Sequence, residues 1–111
     1  MAKVFAYSKR ACKVQFFEED PVVATIFVGD ESDKLCLQGA RLIEEGDKSA
    51  TFEGRAAKYR EAVELFLGAE KTEEIVNRAE AKDSFALLEI WQFIVNSLRE
   101  HKVKNLAASG R

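Results

Sequence analysis

The chain is poor in the side chains that carry chemistry. Its single histidine, His101, stands beside Lys102 and close to Lys104. A general base needs an orienting partner and a pocket, whereas a histidine in a basic stretch at a helix end reads as a carbonyl cap or a solvated ring. Without it no Ser-His-Asp or Cys-His set can be assembled. The two cysteines, Cys12 and Cys36, lie far apart and fit no metal-ligand spacing. They read as reduced thiols acting as small hydrophobes, with one disulfide as the alternative. The six glycines are scattered at element ends, so no phosphate-cradling loop is present. These absences predict a non-enzymatic protein with no catalytic residues, no cofactor and no metal.

Long apolar runs are missing too. No stretch approaches the roughly 20 residues of a membrane span, and no secretory signal pattern opens the chain, so a cytoplasmic protein is expected. A strong excess of one charge is also lacking. The formal net charge of −2 argues against bulk attraction to nucleic acid or anionic membranes, which reward a basic excess. The charges are nevertheless uneven. Lys3, Lys9, Arg10 and Lys13 make the start basic, and Arg99, Lys102, Lys104 and Arg111 make the end basic. No Pro/Gly/Ser-rich linker and no internal repeat divides the chain, and 111 residues suit one domain. That domain splits into a β-rich part, 1–30, a helical part, 31–104, and a flexible tail, 105–111.

What is present is patterned apolar sequence. Cys12-Lys13-Val14-Gln15-Phe16 alternates with the period of a half-buried strand, and Val22 to Val28 is a β-branched and aromatic run. Between them Glu18-Glu19-Asp20-Pro21 holds the only proline and predicts a hairpin loop. The acids there read as a turn of solvated charges, because a calcium loop needs alternating ligands and a glycine at the bend. Val4-Phe5-Ala6-Tyr7 adds a candidate third short strand. From Asp30 the period becomes helical, with Leu35, Gly39, Leu42 and Ile43 on one face, Asp30 or Ser32 as cap, and Gly46-Asp47 as stop. Leu37 falls on the opposite side. A second helix is expected from about Thr51 to Leu67, with Phe52, Ala56, Tyr59, Val63, Phe66 and Leu67 as its buried stripe and Gly68 as its stop. Thr72 to Val76 predicts a short capped helix. A last helix should run from Phe85 to about His101, capped by Asp83 or Ser84. The fold class is therefore α+β: an N-terminal β hairpin of two or three short antiparallel strands, followed by three main helices and one short helix.

The last helix carries the most information about function. Leu87, Leu88, Trp91, Ile94, Val95 and Leu98 form one apolar face, whose middle position favours core packing for Trp91, with an interface anchor as the alternative. Ile90 and Phe93 lie on a second side. A helix that is apolar on two sides must bury both, so the second side either wraps under the hairpin or meets another chain. Ile90 and Phe93, with Leu37 as an outlier, are the candidate protein-binding residues.

The order of elements in residues 55–100 carries a resemblance. Lys58-Tyr59-Arg60-Glu61-Ala62-Val63 and Leu65-Phe66-Leu67-Gly68 are followed by Thr72-Glu73-Glu74-Ile75-Val76, a polar break, and Phe85 to Ile94. Helix, glycine stop, short helix, polar break and long final helix in that order resemble small tail-assembly chaperone-like proteins of phages and prophages of Gram-positive bacteria. The resemblance implies a protein that binds the long helical tape-measure protein, keeps it soluble until the tail tube forms, and self-associates into a homo-oligomer. The alternative from the residues alone is a small nucleic-acid-binding regulator using the basic N-terminal strand and C-terminal tail.

Overall fold

A computed structural model describes residues 10–81 and 83–109, with side chains described as far as residue 104. It is an α+β structure of one hairpin and three helices. Strand β1 (Ala11–Phe16) pairs antiparallel with β2 (Val22–Phe27), in a register that sets Val14 opposite Ala24 and Phe16 opposite Val22. The period of two places Cys12, Val14, Phe16, Val22, Ala24 and Ile26 on one buried face. Lys13, Gln15, Val23, Thr25 and Phe27 face outward. The candidate strand Val4–Tyr7 lies outside the described residues.

The loop joining the strands turns through left-handed backbone at Phe17 (φ 70°) and Asp20 (φ 50°). A bulky residue in that region is strained, and Arg78 holds the loop in place. Its guanidinium donates to the carbonyls of Glu19 (3.0 Å) and Asp20 (2.6 Å) and lies 4.3 Å from the Phe17 ring centroid. Lys71 reaches the Val23 carbonyl on the β2 edge (2.9 Å).

Helix α1 (Asp30–Asp47) starts after Gly29. Ser32 Oγ accepts from the Gly29 amide (3.0 Å) and donates to the Gly29 carbonyl (2.9 Å), which closes the first turn. Acidic Asp30, Glu31 and Asp33 suit its positive end. Helix α2 (Phe52–Ala79) is capped by Thr51, whose Oγ1 accepts from the Gly54 amide (3.0 Å). At Gly68 (φ 80°, ψ 165°) it leaves helical geometry and then resumes. Thr72 Oγ1 donates back to the Gly68 carbonyl (2.7 Å), and an Arg60–Glu73 ion pair bridges the break. The separate short helix expected at Thr72–Val76 is thus the second arm of α2. Its turns are hydrogen-bonded on as far as Ala79, and a left-handed Glu80 (φ 53°) ends them.

Helix α3 (Ser84–Ser109) is capped by Asp83, which accepts from the Ala86 amide (2.9 Å). It runs eight residues past the expected end at His101, so the backbone of 105–109 is helical. After His101 no glycine occurs until Gly110, and Leu106-Ala107-Ala108 are strong helix formers. Leu87, Ile94 and Leu98 of the expected stripe are buried, and Leu88, Trp91 and Val95 are half-buried.

The core joins the inner face of the hairpin to Val63, Leu67, Ile75, Ile94 and Leu98, with Trp91 packed against it. Two glycines seven residues apart let α1 approach the other helices closely. A Cβ on Gly39 would lie 2.5 Å from Trp91 Nε1, and one on Gly46 would lie 2.8 Å from the Tyr59 ring. The principal extents are 60 × 32 × 19 Å, with a radius of gyration of 15.7 Å. A sphere-like chain of this length would have about 13 Å, so the molecule is elongated.

Candidate protein-binding surface

Sequence patterning singles out Ile90, Phe93 and Leu37, and the structure separates them. Ile90 is half-buried and packs on the core. Phe93 is 45% exposed, and its ring meets the Phe16 ring edge-on with centroids 5.3 Å apart. The second apolar side of α3 therefore passes partly under the hairpin. The two residues share one groove, whose remaining walls are Phe16, Ala79, Ala81, Ala86 and Glu89. The alanines place α2's end and α3's start side by side with nothing bulky between them. Leu37 is 65% exposed on α1 and does not line this groove.

The most exposed aromatic residues are not among those that the apolar pattern singles out for binding. Phe52, placed in the buried stripe of α2, is 79% exposed, and Phe85, the first apolar residue of α3, is 76% exposed. The stripe assignment fails at Phe52 because the end of α1 meets this turn at Arg55 and the start of α3 lies across the cleft, and neither covers the Phe52 ring. Phe52 follows the capping Thr51 and Phe85 lies two residues after the capping Asp83, and the fold brings those two helix starts together. They line one cleft with Glu53, Arg55, Ala56, Asp83 and Ser84. The Arg55 guanidinium lies 5.9 Å from the Phe52 ring centroid. A signal was available in the sequence: a phenylalanine in the first turn of a helix, next to its cap, sits where the fewest turns can cover it.

Cleft and groove are consecutive along α3. Phe85, Glu89 and Phe93 follow each other at intervals of four and so run up one side of the helix. Phe85 and Phe93 are about 12 Å apart along its axis. Phe52 and Phe85 are thus exposed in one cleft, and about two turns further along α3, past Glu89, Phe93 is exposed beside the buried Phe16.

Other side chains show no such convergence. Cys12 is buried and its thiol points to the Ser97 carbonyl (3.7 Å); Cys36 is half-buried; both are free. Burial pushes both thiols above their ordinary pKa, and Asp33 adds to the shift at Cys36 while Arg99 and Lys102 oppose it. A raised thiol pKa disfavours the nucleophilic thiolate. Among the described residues no group of three or more His, Cys, Asp or Glu could hold a metal ion, and no helix is long and apolar enough to cross a membrane. The basic residues of the nucleic-acid alternative are interleaved with acids. Lys102 pairs with Asp33 (3.7 Å), and Arg10 Nε donates to the Val28 carbonyl (3.0 Å). Lys3, Lys9 and Arg111 lie outside the described residues. Comparison with protein-family models, with curated proteins and with solved structures finds no match to this chain.

Proposed function

We propose that this protein binds a helical segment of another protein along α3, and that its biological role is that of a tail-assembly chaperone acting on a tape-measure protein in the cytoplasm of a bacterial host. One observation carries the first half of the reading. Phe52 and Phe85 are exposed in one cleft, and Phe93 is exposed about two turns further along α3, although the chain has a core able to take aromatic residues. Contiguous exposed apolar surface marks interaction sites in soluble domains, and aromatic residues supply the anchors of such sites. Exposed rings spaced along a helix suit a partner helix that inserts apolar residues at intervals of three and four. The second half rests on the resemblance of residues 55–100 to tail-assembly chaperones, whose tape-measure partner is long and helical.

The test is binding of a helical peptide with leucine and phenylalanine at that spacing, beside a scrambled peptide of the same composition and a DNA duplex. The ordered peptide should bind with a dissociation constant in the micromolar range, on the order of −8 kcal/mol, and the scrambled one should not. Duplex binding that falls steeply with salt, with no peptide binding, would replace this reading by the regulator. Co-expression with a tape-measure protein should keep that protein in the soluble fraction.

A further inference from the structure

We infer that the helix received by the Phe16–Ile90–Phe93 groove and the adjoining cleft is a basic one, with lysine or arginine flanking its apolar stripe. The inference rests on the protein-binding reading above and concerns the charge of the partner. Acids outnumber bases among the described residues that line the groove and the cleft: Glu89, Glu53 and Asp83 against Arg55. Glu89 lines the groove between the two anchor positions of α3. Glu80 follows Ala79 and is exposed, and the hairpin loop after Phe16 carries Glu18, Glu19 and Asp20, all exposed. Arg78 fastens the backbone of that loop to the end of α2, next to the Ala79 and Phe16 walls of the groove. Arg78 itself is engaged by two loop carbonyls, the Phe17 ring and Glu74 (4.0 Å). At the cleft, Glu53 and Asp83 stand against one base, Arg55.

This arrangement selects among occupants. Apolar residues of a partner bury against phenylalanine and the alanine floor, and its flanking cations meet carboxylates, so attraction and apolar burial act together. A nucleic-acid backbone or an acidic helix meets like charge at the same positions. Two-fold pairing of this surface with a second copy would bring the two sets of acids face to face. The outer side of α3 also reads Phe85, Glu89, Gln92, Asn96, Arg99 and Val103 at alternating steps of four and three, which is too polar for a coiled-coil seam.

Two peptides of about 18 residues, about 27 Å of helix, decide the matter. Both carry the same leucine and phenylalanine stripe; one has lysine and arginine on its polar face, the other glutamate. Fluorescence anisotropy with the full chain should show the basic peptide binding about tenfold tighter or more, with the gap narrowing as salt rises from about 50 to about 300 mM. Glu89→Lys, an exposed change that leaves unfolding unaltered, should shrink the gap severalfold. Equal affinity for the two peptides, preference for the acidic one, or an unchanged gap in Glu89→Lys overturns the inference while leaving a protein-binding role in place. Failure of both peptides to bind rejects that role itself, and the inference with it. Sedimentation of the free chain as an oligomer that Glu89→Lys disperses would make the occupant a second copy and overturn the inference as well.

Discussion

Single residues in this fold act through what they sit against. Tyr59 shows this in its hydroxyl. The ring is buried beside Gly46 of α1, and the phenol donates to Asp47 at that helix's end. The bond to Asp47, then burial, holds the phenol above its ordinary pKa. The folded state therefore keeps a proton that the unfolded chain releases near pH 10. The resulting stabilisation is complete below about pH 10 and is lost as pH rises through the folded value. Tyr59→Phe should cost about 1 kcal/mol at neutral pH. In urea unfolding, the difference from the parent should narrow above about pH 10. A difference that stays constant to higher pH would mean that the Asp47 bond is not its source. Cys12 and Cys36 make the complementary point: two thiols that sequence spacing left open as a pair are separate, half-buried or buried side chains.

At the scale of elements, two glycines hold the helices in different ways. Gly39 is needed for space, because a Cβ there would lie 2.5 Å from Trp91 Nε1. Alanine in a helix gains about 1 kcal/mol over glycine, but overpacking costs about 1–3 kcal/mol, so Gly39→Ala should be destabilising. Gly68 is needed for conformation. Its surroundings are open, yet φ 80° and ψ 165° belong to a region that glycine nearly monopolises. Gly68→Ala should lose about 1–3 kcal/mol by straightening or straining the two arms of α2. Fluorescence separates the two mechanisms, since Trp91 is the single tryptophan. Gly39→Ala should shift its emission in the native state and Gly68→Ala should not. Gly68 also explains why the sequence reading saw two helices in 51–76. A glycine flanked by helical patterns signals a change of direction, and the Thr72 hydroxyl and the Arg60–Glu73 ion pair tie the two arms together across it.

For the whole molecule, the elongated form leaves a large share of apolar residues uncovered, and these are unevenly placed. Phe52 and Phe85 are peripheral to the core, so replacing both with serine should change stability by no more than about 0.5 kcal/mol each. The same pair should weaken partner binding by about tenfold or more, because aromatic anchors concentrate binding energy. Thermal unfolding and peptide titration on the one double variant check both halves. If it unfolds, the two rings support the cap turns and do not form a docking face. Ile90→Ser is a poorer probe, since Ile90 packs on the core and its loss would mix folding with binding; Phe93→Ser isolates the exposed half of the groove.

Much of this architecture follows from local sequence. The alternation in 12–16 and the β-branched and aromatic run in 22–28 determined the hairpin, and the alternation determined which face β1 buries, since side chains in a strand change sides at every residue. The helical spacing of Leu87, Ile94 and Leu98 determined the core face of α3, and Asp83 and Thr51 marked helix starts because their side chains satisfy free amides. What the sequence alone left undecided is which residues share a surface. Ile90 goes half under the hairpin because Phe16 and the end of α2 come to lie beside it, although the two are 74 positions apart in the chain. Phe52 stays outside because α1 meets the first turn of α2 at Arg55 and α3 begins beside it, yet neither lies over its ring. Helical period gives the direction of a side chain, but its cover is supplied by distant segments, and only the tertiary structure decides whether that cover arrives.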